Sequence, residues 1–523
     1  MKNLILFILI GIGININAQY KLKFKIEGLY DTEVYLAKYL GNRLYYADTA
    51  QSKDGIAIFE KEHYDGGVYA VICPGPKYFE FIMADKEVEI HTSIDDFIGK
   101  MNVVKSNENK IFYDYIGFIN LKKPEAKLLQ DAKAKLDAKK DKKKIKELEA
   151  LGEALDKEVK SYQKKLATEN KDLLIGRILN MSIDPEIPAE IKENDTLRYK
   201  YFKAHYWDNI MLSDKRLVHS PIFHNKLEFY FKKMLMQHPD TICDNAHHVV
   251  SQTEEGTDMF KYVVHYVTYN YETSKIMGMD AVFVCMADTY YCPPENSKAF
   301  WLDSAKLVEL CERKTALKPL LINKVAPNLR LVDTTEKHWV DMHKDIKAKY
   351  TALIFWAADC GHCKKEMPKI KALYDELKAK KIDFEVVAVG TALDNKEWIE
   401  FIKKNNLDWI NVSDLPDAND HPEKYIFERK VTDLQSLNFR KTYDIFSTPQ
   451  IYLLDKDKKI LAKKLDALNL AKIMEIKEDL KELDFTKEET IAKAEEEKKK
   501  KEREEKAAEY NAKQAAEKAV KEK

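Results

Sequence analysis

Apolar and basic residues alternate where the first regular segment of the chain begins. Residues 20–26 read Tyr-Lys-Leu-Lys-Phe-Lys-Ile, and this period of two predicts a β-strand with one buried face. Short apolar runs separated by Gly, Pro and Asp continue to about residue 91. The pattern predicts an antiparallel β-sandwich-like domain over residues 19–112, with a small barrel as the alternative.

Helical spacing replaces this alternation in the next two segments. Between residues 113 and 170, Leu, Ile and Val recur three and four positions apart among Lys, Ala and Glu. This predicts a charged helical spacer, for which solvated helices without a partner are as consistent as a binding surface. Residues 171–322 carry bulky aromatic residues at the same spacing, for example over 199–207. They predict a mostly helical domain with an aromatic core.

Strands and helices alternate in the C-terminal third. Apolar runs at 350–356 and 384–389 predict buried strands, and a helix is predicted between them at 366–380. A strand at 450–455, a tight turn, a partner strand and a last helix follow. This order predicts an α/β thioredoxin fold over residues 323–484, so the chain as a whole is predicted to be multidomain α+β.

The last segment and the overall charge of the chain do not point to a catalytic or binding function. Residues 485–523 are almost entirely Lys, Glu and Ala, which predicts a charged helix or a disordered tail with too little apolar surface to pack on a core. Lys+Arg and Asp+Glu both number 87, so the formal net charge is zero. Neither nucleic acid nor an anionic membrane is therefore expected as the main partner.

The N-terminus has the features of a secretory signal. Lys2 precedes a short apolar run from Leu4 to Ile14, and Ala18 is a suitable last residue before cleavage. We predict a signal peptide at residues 1–18 and export to the periplasm or cell envelope, with an uncleaved anchor or a buried strand as the alternative. No later run is long and apolar enough to predict a transmembrane span.

A pair of cysteines three apart is the strongest chemical signal. Cys360-Gly361-His362-Cys363 lies between a predicted strand and a predicted helix. Unpaired backbone N–H groups and the positive end of the helix dipole favour the thiolate, which is the nucleophile in disulfide exchange. Cys360 is therefore predicted to attack and Cys363 to resolve the mixed disulfide. We assign Gly361 and His362 to redox tuning. Protonated His362 would make the pair more oxidising, and a surface histidine without a role is the alternative.

Three further residues fit this site. Glu366, one turn beyond Cys363, is a candidate acceptor of the Cys363 proton if its carboxylate is partly buried, and a solvated helix residue otherwise. Thr448 and Pro449 directly precede a predicted strand, where a cis peptide bond is expected. Such a bond would place the Thr448 backbone beside the cysteines, ready to pair with an extended substrate.

These residues carry a family resemblance. The segment from Phe355 to Pro368, Phe-Trp-Ala-Ala-Asp-Cys-Gly-His-Cys-Lys-Lys-Glu-Met-Pro, resembles the active-site segment of the thioredoxin superfamily. Its Lys-Lys-Glu-Met-Pro end is similar to the exported TlpA/ResA-like thiol-disulfide oxidoreductases of Bacteroidota type. The resemblance implies the same attacking and resolving cysteines, a cis-Pro449 and a proton-transfer role for Glu366. It also implies protein thiols or disulfides as substrates and an unidentified electron-transfer partner; we expect no cofactor and no metal.

The resemblance also suggests the type of reaction and shows two departures. Cys-Gly-His-Cys is the sequence found in protein disulfide isomerases, which suggests oxidase or isomerase capacity.

Within the segment from Phe355 to Pro368, we assign Trp356 to substrate binding together with the Thr448-Pro449 loop. The buried Asp of cytoplasmic thioredoxins is Ile354 here, so Glu366 or water must take its role. Residues 416–435 look like an insertion.

Alternatives to a redox enzyme remain. A zinc site would need four ligands and would have to recruit His338 or His421. Peroxidase activity fits a double-cysteine helix start less well than disulfide exchange does. The upstream residues 19–322 lack a catalytic motif, so an envelope binding or scaffold protein is the second hypothesis.

Two further cysteine pairs are candidate structural disulfides. They are Cys285 with Cys292, and Cys243 with Cys311. Buried free thiols are the alternative for all four.

Overall fold

The computed structural model describes residues 19–75, 77–137, 139–392 and 395–521. They form two compact units, one extending to Val267 and the other beginning at Thr268. The predicted signal peptide, residues 1–18, lies outside the described residues. Within the described ranges, no helix has the length and apolar character needed to cross a membrane.

The first unit begins with two four-stranded sheets, which run in the orders β4-β1-β7-β8 and β3-β2-β5-β6. The rings of Phe24 and Phe81, which belong to different sheets, lie 5.1 Å apart in the core. The predicted sheet domain is confirmed, although β1 pairs in parallel with β7 and the arrangement is therefore mixed. The strands are β1 (Tyr20–Glu27), β2 (Glu33–Leu40), β3 (Arg43–Gln51), β4 (Ile56–Lys61), β5 (Gly67–Cys73), β6 (Lys77–Met83), β7 (Glu87–Ser93) and β8 (Asn102–Lys105).

Helices follow, beginning with a long hairpin of α1 and α2. Ser106 caps α1 by accepting a hydrogen bond from the N–H of Asn109. The buried carboxylate of Glu108 accepts the N–H groups of Leu174 (2.9 Å) and Ile175 (2.7 Å), where α3 begins. The helices are α1 (Asn107–Ala134), α2 (Lys142–Glu169), α3 (Leu174–Met181), α4 (Asp195–His205), α5 (Pro221–Glu228), α6 (Pro239–Ser251) and α7 (Asp258–Glu272). Short 3-10 helices at Ala189–Ile191 and Lys215–Val218 and a short π-helix at Phe229–Met234 lie between them.

The second unit begins at Thr268, within α7, and continues with the rest of the helical region, α8 (Asp280–Met286) and α9 (Ser304–Leu317). A short π-helix at Ala287–Tyr291 follows α8, and a short 3-10 helix at Lys318–Leu320 follows α9. A disulfide joins Cys292 to Cys311 on α9. Both predicted pairings, Cys285–Cys292 and Cys243–Cys311, are therefore wrong, because α9 folds back onto the segment that follows α8.

The thioredoxin-like sheet has seven strands in the order β10-β9-β13-β12-β11-β14-β15. Central β11 is parallel to β12 and antiparallel to β14, as the predicted topology requires. The strands are β9 (Arg330–Asp333), β10 (Trp339–Asp341), β11 (Tyr350–Trp356), β12 (Phe384–Gly390), β13 (Ile410–Ser413), β14 (Gln450–Asp455) and β15 (Ile460–Lys463). The helices are α10 (Met342–Asp345), α11 (Gly361–Ala379), α12 (Asn395–Lys404), α13 (Pro416–Asp420), α14 (Leu434–Leu437), α15 (Phe439–Thr442), α16 (Ala467–Lys477) and α17 (Asp484–Lys521), and a short π-helix covers Lys424–Glu428.

Separate hydrophobic cores cover the two faces of this sheet. Ile354 and Trp356 belong to one core, and Leu353 and Phe355 belong to the other, because alternate residues of β11 point to opposite faces. The C-terminal segment also contributes: Leu483 is fully buried and Phe485 nearly so in the core on the α11 side. The expectation that the tail has too little apolar surface to pack on a core is therefore wrong at the start of α17.

Candidate active site

The cysteine pair lies where α11 begins, four residues after β11 ends. Cys360 is the N-cap residue, with extended backbone angles (φ −75°, ψ 120°), and its carbonyl accepts the N–H of Lys364 at 3.0 Å. The N–H groups of the first helical turn consequently have no partner within the helix. Cys360 is half-buried, whereas Cys363, one turn further on, has no exposed surface. Both are free thiols.

The thiol of Cys360 is adapted to ionise. Burial opposes ionisation, but hydrogen bonds from the side chain of Thr448 and the backbone N–H groups of Cys363 and His362 outweigh it. They hold the pKa of Cys360 below its ordinary value of 9.0. In the protonated state, the thiol donates to the carbonyl oxygen of Thr448, with the two atoms 3.3 Å apart. A more ionised thiol is a better-populated nucleophile at neutral pH.

The thiol of Cys363 is held in the opposite state. Burial, with a smaller contribution from the nearby Cys360, raises the pKa of Cys363 to about 11. One cysteine is therefore partly accessible and easily ionised, while the other is enclosed and protonated. This asymmetry is the arrangement that an attacking thiol and a resolving thiol require.

The strand β14 brings Thr448 and Pro449 to the cysteines. Its first residue, Gln450, pairs with Phe355 near the end of β11, so the residues before β14 lie beside the start of α11. The Thr448-Pro449 peptide bond is cis, as predicted. Both residues are half-buried. The sequence pattern alone does not predict that the Thr448 hydroxyl stabilises the Cys360 thiolate. The only sequence feature that points to this role is the position of Thr448 directly before Pro449.

The residues between the cysteines are exposed. A Cβ atom added at Gly361 would meet no atom within 4 Å, so space does not require glycine there. The backbone N–H of His362 stabilises the Cys360 thiolate. The imidazole of His362 has no hydrogen-bond partner among the described residues, and its effect on the pair stays a prediction.

Glu366 is half-buried on α11 and has a structural partner. Its carboxylate accepts the backbone N–H of Ala467, the first residue of α16, and so helps to hold that helix against α11. Transfer of the Cys363 proton to Glu366 stays a prediction. Ile354, at the position where cytoplasmic thioredoxins carry an Asp, is fully buried in the apolar core.

Trp356 requires a correction. Its predicted role in substrate binding is wrong, because its side chain has no exposed surface. It packs in the core against Phe401, with ring centroids 5.3 Å apart. All seven residues of β11 are buried, so this strand has no face available to a substrate.

Among the described residues, no third side chain is placed to complete a zinc site with Cys360 and Cys363. Among the described residues, neither Cys360 nor Cys363 belongs to a group of three or more side chains placed to hold an ion. His338 and His421 likewise do not join such a group in that part of the chain.

Comparisons with known proteins match two parts of the chain. A model of thioredoxin-like proteins matches residues 348–460, and a domain of unknown function (DUF5106) matches residues 147–318. The thiol-disulfide oxidoreductase ResA of Bacillus thuringiensis is 30% identical over 140 residues, which are 27% of this chain and 67% of that protein. ResA of Bacillus anthracis is 31% identical over the same shares of the two chains.

Solved structures give further matches. The crystal structure of a domain of a possible thiol-disulfide isomerase from Cytophaga hutchinsonii is 36% identical. It covers 31% of this chain and 96% of that chain, with a TM-score of 0.25. The thioredoxin domain of a thiol-disulfide oxidoreductase from Bacteroides vulgatus is 27% identical over 29% of this chain and 95% of that chain, with a TM-score of 0.24.

Proposed function

This chain belongs to the thioredoxin-like thiol-disulfide oxidoreductases typified by ResA, and on that premise we propose that Cys360 and Cys363 exchange disulfides with proteins of the cell envelope. The observation that carries the proposal is the asymmetry of the pair. Cys360 is half-buried with a lowered pKa, and Cys363 is enclosed with a pKa of about 11. The predicted signal peptide is the support for a cell-envelope location.

Reduction of a substrate proceeds in two balanced steps. The Cys360 thiolate attacks one sulfur of a substrate disulfide, forming a mixed disulfide and releasing the other substrate sulfur as a thiolate. Cys363 then loses its proton and attacks the Cys360 sulfur. The products are a Cys360–Cys363 disulfide and a substrate dithiol. Oxidation of a substrate dithiol is the same sequence in reverse. In this proposal, Glu366 or water takes the proton of Cys363.

Substrate binding involves the residues beside the cis peptide bond. Thr448 and Pro449, whose backbone leads into β14, are half-buried, so each residue keeps part of its surface exposed to solvent. An extended substrate segment pairs with this backbone as an added strand, which brings its sulfur to Cys360. The contact between Cys360 and the Thr448 carbonyl supports this geometry.

Trapping of the mixed disulfide tests the proposal. The Cys363→Ser variant should accumulate a covalent adduct with a disulfide-containing peptide, because the resolving thiol is absent. The Cys360→Ser variant should form no adduct and show no turnover. Cys73→Ala is the matched control, since Cys73 is a buried free thiol of the first unit. Turnover by Cys360→Ser, or stoichiometric zinc in the purified protein, would contradict the proposal.

The direction of electron flow is tested by the reduction potential of the pair. We expect a potential above that of cytoplasmic thioredoxin, which is about −270 mV, because protonated His362 stabilises the thiolate form. His362→Ala should lower the potential. A wild-type value at or below that of thioredoxin would contradict the role of His362 and favour a dedicated reductase.

A further inference from the structure

Lysines are concentrated at the turn that joins α1 to α2. Residues 133–146, which we call the basic tip, contain eight lysines and two aspartates, a formal excess of six positive charges. The net charge of the whole chain is zero, so this excess is balanced by acidic residues elsewhere. A local concentration of one sign of charge attracts a partner of the opposite sign even where the whole chain is neutral.

The charge of the basic tip is not neutralised within the protein. In the part of the chain that the structure describes, Lys133 is the only one of the eight lysines in an ion pair, with its Nζ 2.7 Å from a carboxylate oxygen of Glu149. The two aspartates hold the turn instead. The Asp137 carboxylate accepts the N–H of Lys139 (2.8 Å), and the Asp141 carboxylate accepts the N–H of Asp137 (2.9 Å). All eight lysines are exposed, so their ammonium groups can meet a ligand.

The helices that carry the basic tip project from the rest of the first unit. α1 has 28 residues, which corresponds to a length of about 42 Å. It is anchored at its start, where the buried side chain of Asn109 exchanges two hydrogen bonds with the backbone of Ile82 on β6. Between residues 110 and 154, none of the described residues is buried. The basic tip therefore lies at the far end of an exposed arm, where an extended surface can reach it.

Large apolar side chains on the same arm are also exposed. Leu121 is 78% exposed, Leu128 70% and Leu151 56%. Lysine and leucine together on exposed helices are typical of segments that bind at a membrane surface, where the lysines meet anionic headgroups and the leucines enter the apolar boundary. An acidic protein partner would account for the lysines alone. Each lysine is a point charge on a flexible stem, which suits mobile headgroups better than a shaped protein site.

We propose that the basic tip binds the surface of an anionic phospholipid bilayer, with the headgroup phosphates against its lysines and the exposed leucines of the arm in the boundary layer. The predicted signal peptide supports this choice, because export brings a chain to a compartment bounded by phospholipid. Lysines near an anionic membrane surface attract it without a membrane-spanning segment. This attachment is a second property of the chain and does not depend on the proposed exchange at Cys360.

The test is co-sedimentation of the full chain with two kinds of vesicle, phosphatidylcholine alone and phosphatidylcholine mixed with phosphatidylglycerol. The wild-type protein should bind the mixed vesicles more tightly, because only these carry net negative charge. Raising the ionic strength from about 0.1 M to about 1 M shortens the Debye length from about 10 Å to about 3 Å and should release most of the bound protein. Residues 1–18 are the same in every variant, so their contribution cancels.

Replacing Lys139, Lys140, Lys143 and Lys144 with Gln should weaken the partition into mixed vesicles at least about 10-fold, because four positive charges are removed. Replacing the same four residues with Arg keeps the charge and should keep the binding. The matched control replaces Lys498–Lys501 of α17 with Gln. This run also has four exposed lysines, but it is flanked by six glutamates and one arginine within residues 495–505, so no positive excess is present there. The control should bind as the wild-type protein does.

The proposal is overturned if the wild-type protein binds both kinds of vesicle equally or neither, which would leave an acidic protein as the partner of the tip. It also falls if binding is unchanged at high ionic strength, or if the Arg variant or the α17 control loses as much affinity as the Gln variant. Equal thermal unfolding midpoints of the variants verify that the substitutions leave the fold intact. Cys360→Ser should bind vesicles normally while losing disulfide exchange, so failure of the proposed function and failure of this proposal are distinguishable.

Discussion

Alkylation of the reduced protein with iodoacetamide at pH 7.5 measures the difference between the two thiols. Burial raises the pKa of Cys363 to about 11, so only about 1 in 3,000 of these thiols is ionised at this pH. The pKa of Cys360 lies below 9.0, so at least about 3 in 100 are ionised. Because the thiolate is the reacting form, Cys360 should be alkylated at least about 100-fold faster. The complete burial of Cys363 adds to this difference.

The pH dependence of Cys360 alkylation identifies the cause of its low pKa. Mass spectrometry of peptides gives the rate at each cysteine, and the midpoint for Cys360 should lie below pH 9. Thr448→Val removes the hydroxyl that stabilises the thiolate while keeping the side-chain shape, so it should move the midpoint to higher pH. Ser447→Ala, at an exposed neighbouring position, is the control. Similar rates at both cysteines, or equal effects of the two substitutions, would refute the reasoning.

Three further predictions concern stability, each measured by denaturant unfolding. Replacing Cys292 and Cys311 with Ala should lower the free energy of unfolding by about 3 kcal/mol, because the bond closes a loop of 19 residues; no loss would contradict this. Glu108→Ala should cost about 2 to 4 kcal/mol, since it leaves the buried N–H groups at the start of α3 without acceptors, and Glu108→Gln should cost less. Burial lowers the pKa of His219 below 6.5, so the stability it contributes is present above pH 6.5 and is lost as the pH falls. His219→Asn should therefore weaken the stability difference between pH 7.5 and 5.5, and an unchanged difference would contradict the argument.

Local patterns were sufficient to predict the core of the candidate site. The pair Cys360 and Cys363, the cis bond before Pro449 and the order of strands around them all depend on neighbouring residues, so a short segment contains the signal. The disulfide between Cys292 and Cys311 depends instead on how α9 folds back. Spacing along the chain carries no information on that packing, which is why the predicted pairings were wrong.

Two other differences between the predicted and the observed structure concern which faces of a strand are buried. Trp356 adjoins the site in sequence, but the central strand is covered on both faces, so its side chain belongs to the core. Strand β3 (Arg43–Gln51) escaped prediction because its apolar and polar residues do not alternate, and only Ala50 among its nine residues is buried. In both cases the burial of a residue is set by the neighbouring elements rather than by its own segment.

The electrostatics of the pair also set the order of the two proposed steps. Burial is the main reason that Cys363 stays protonated, but the Cys360 thiolate raises the pKa of Cys363 as well. While Cys360 is free, its negative charge therefore suppresses ionisation of the resolving thiol. Once Cys360 is bonded to a substrate sulfur, that charge is gone and the pKa of Cys363 must fall. The resolving thiol thus becomes more reactive only after the mixed disulfide has formed, which favours attack by Cys360 first and release of the substrate second.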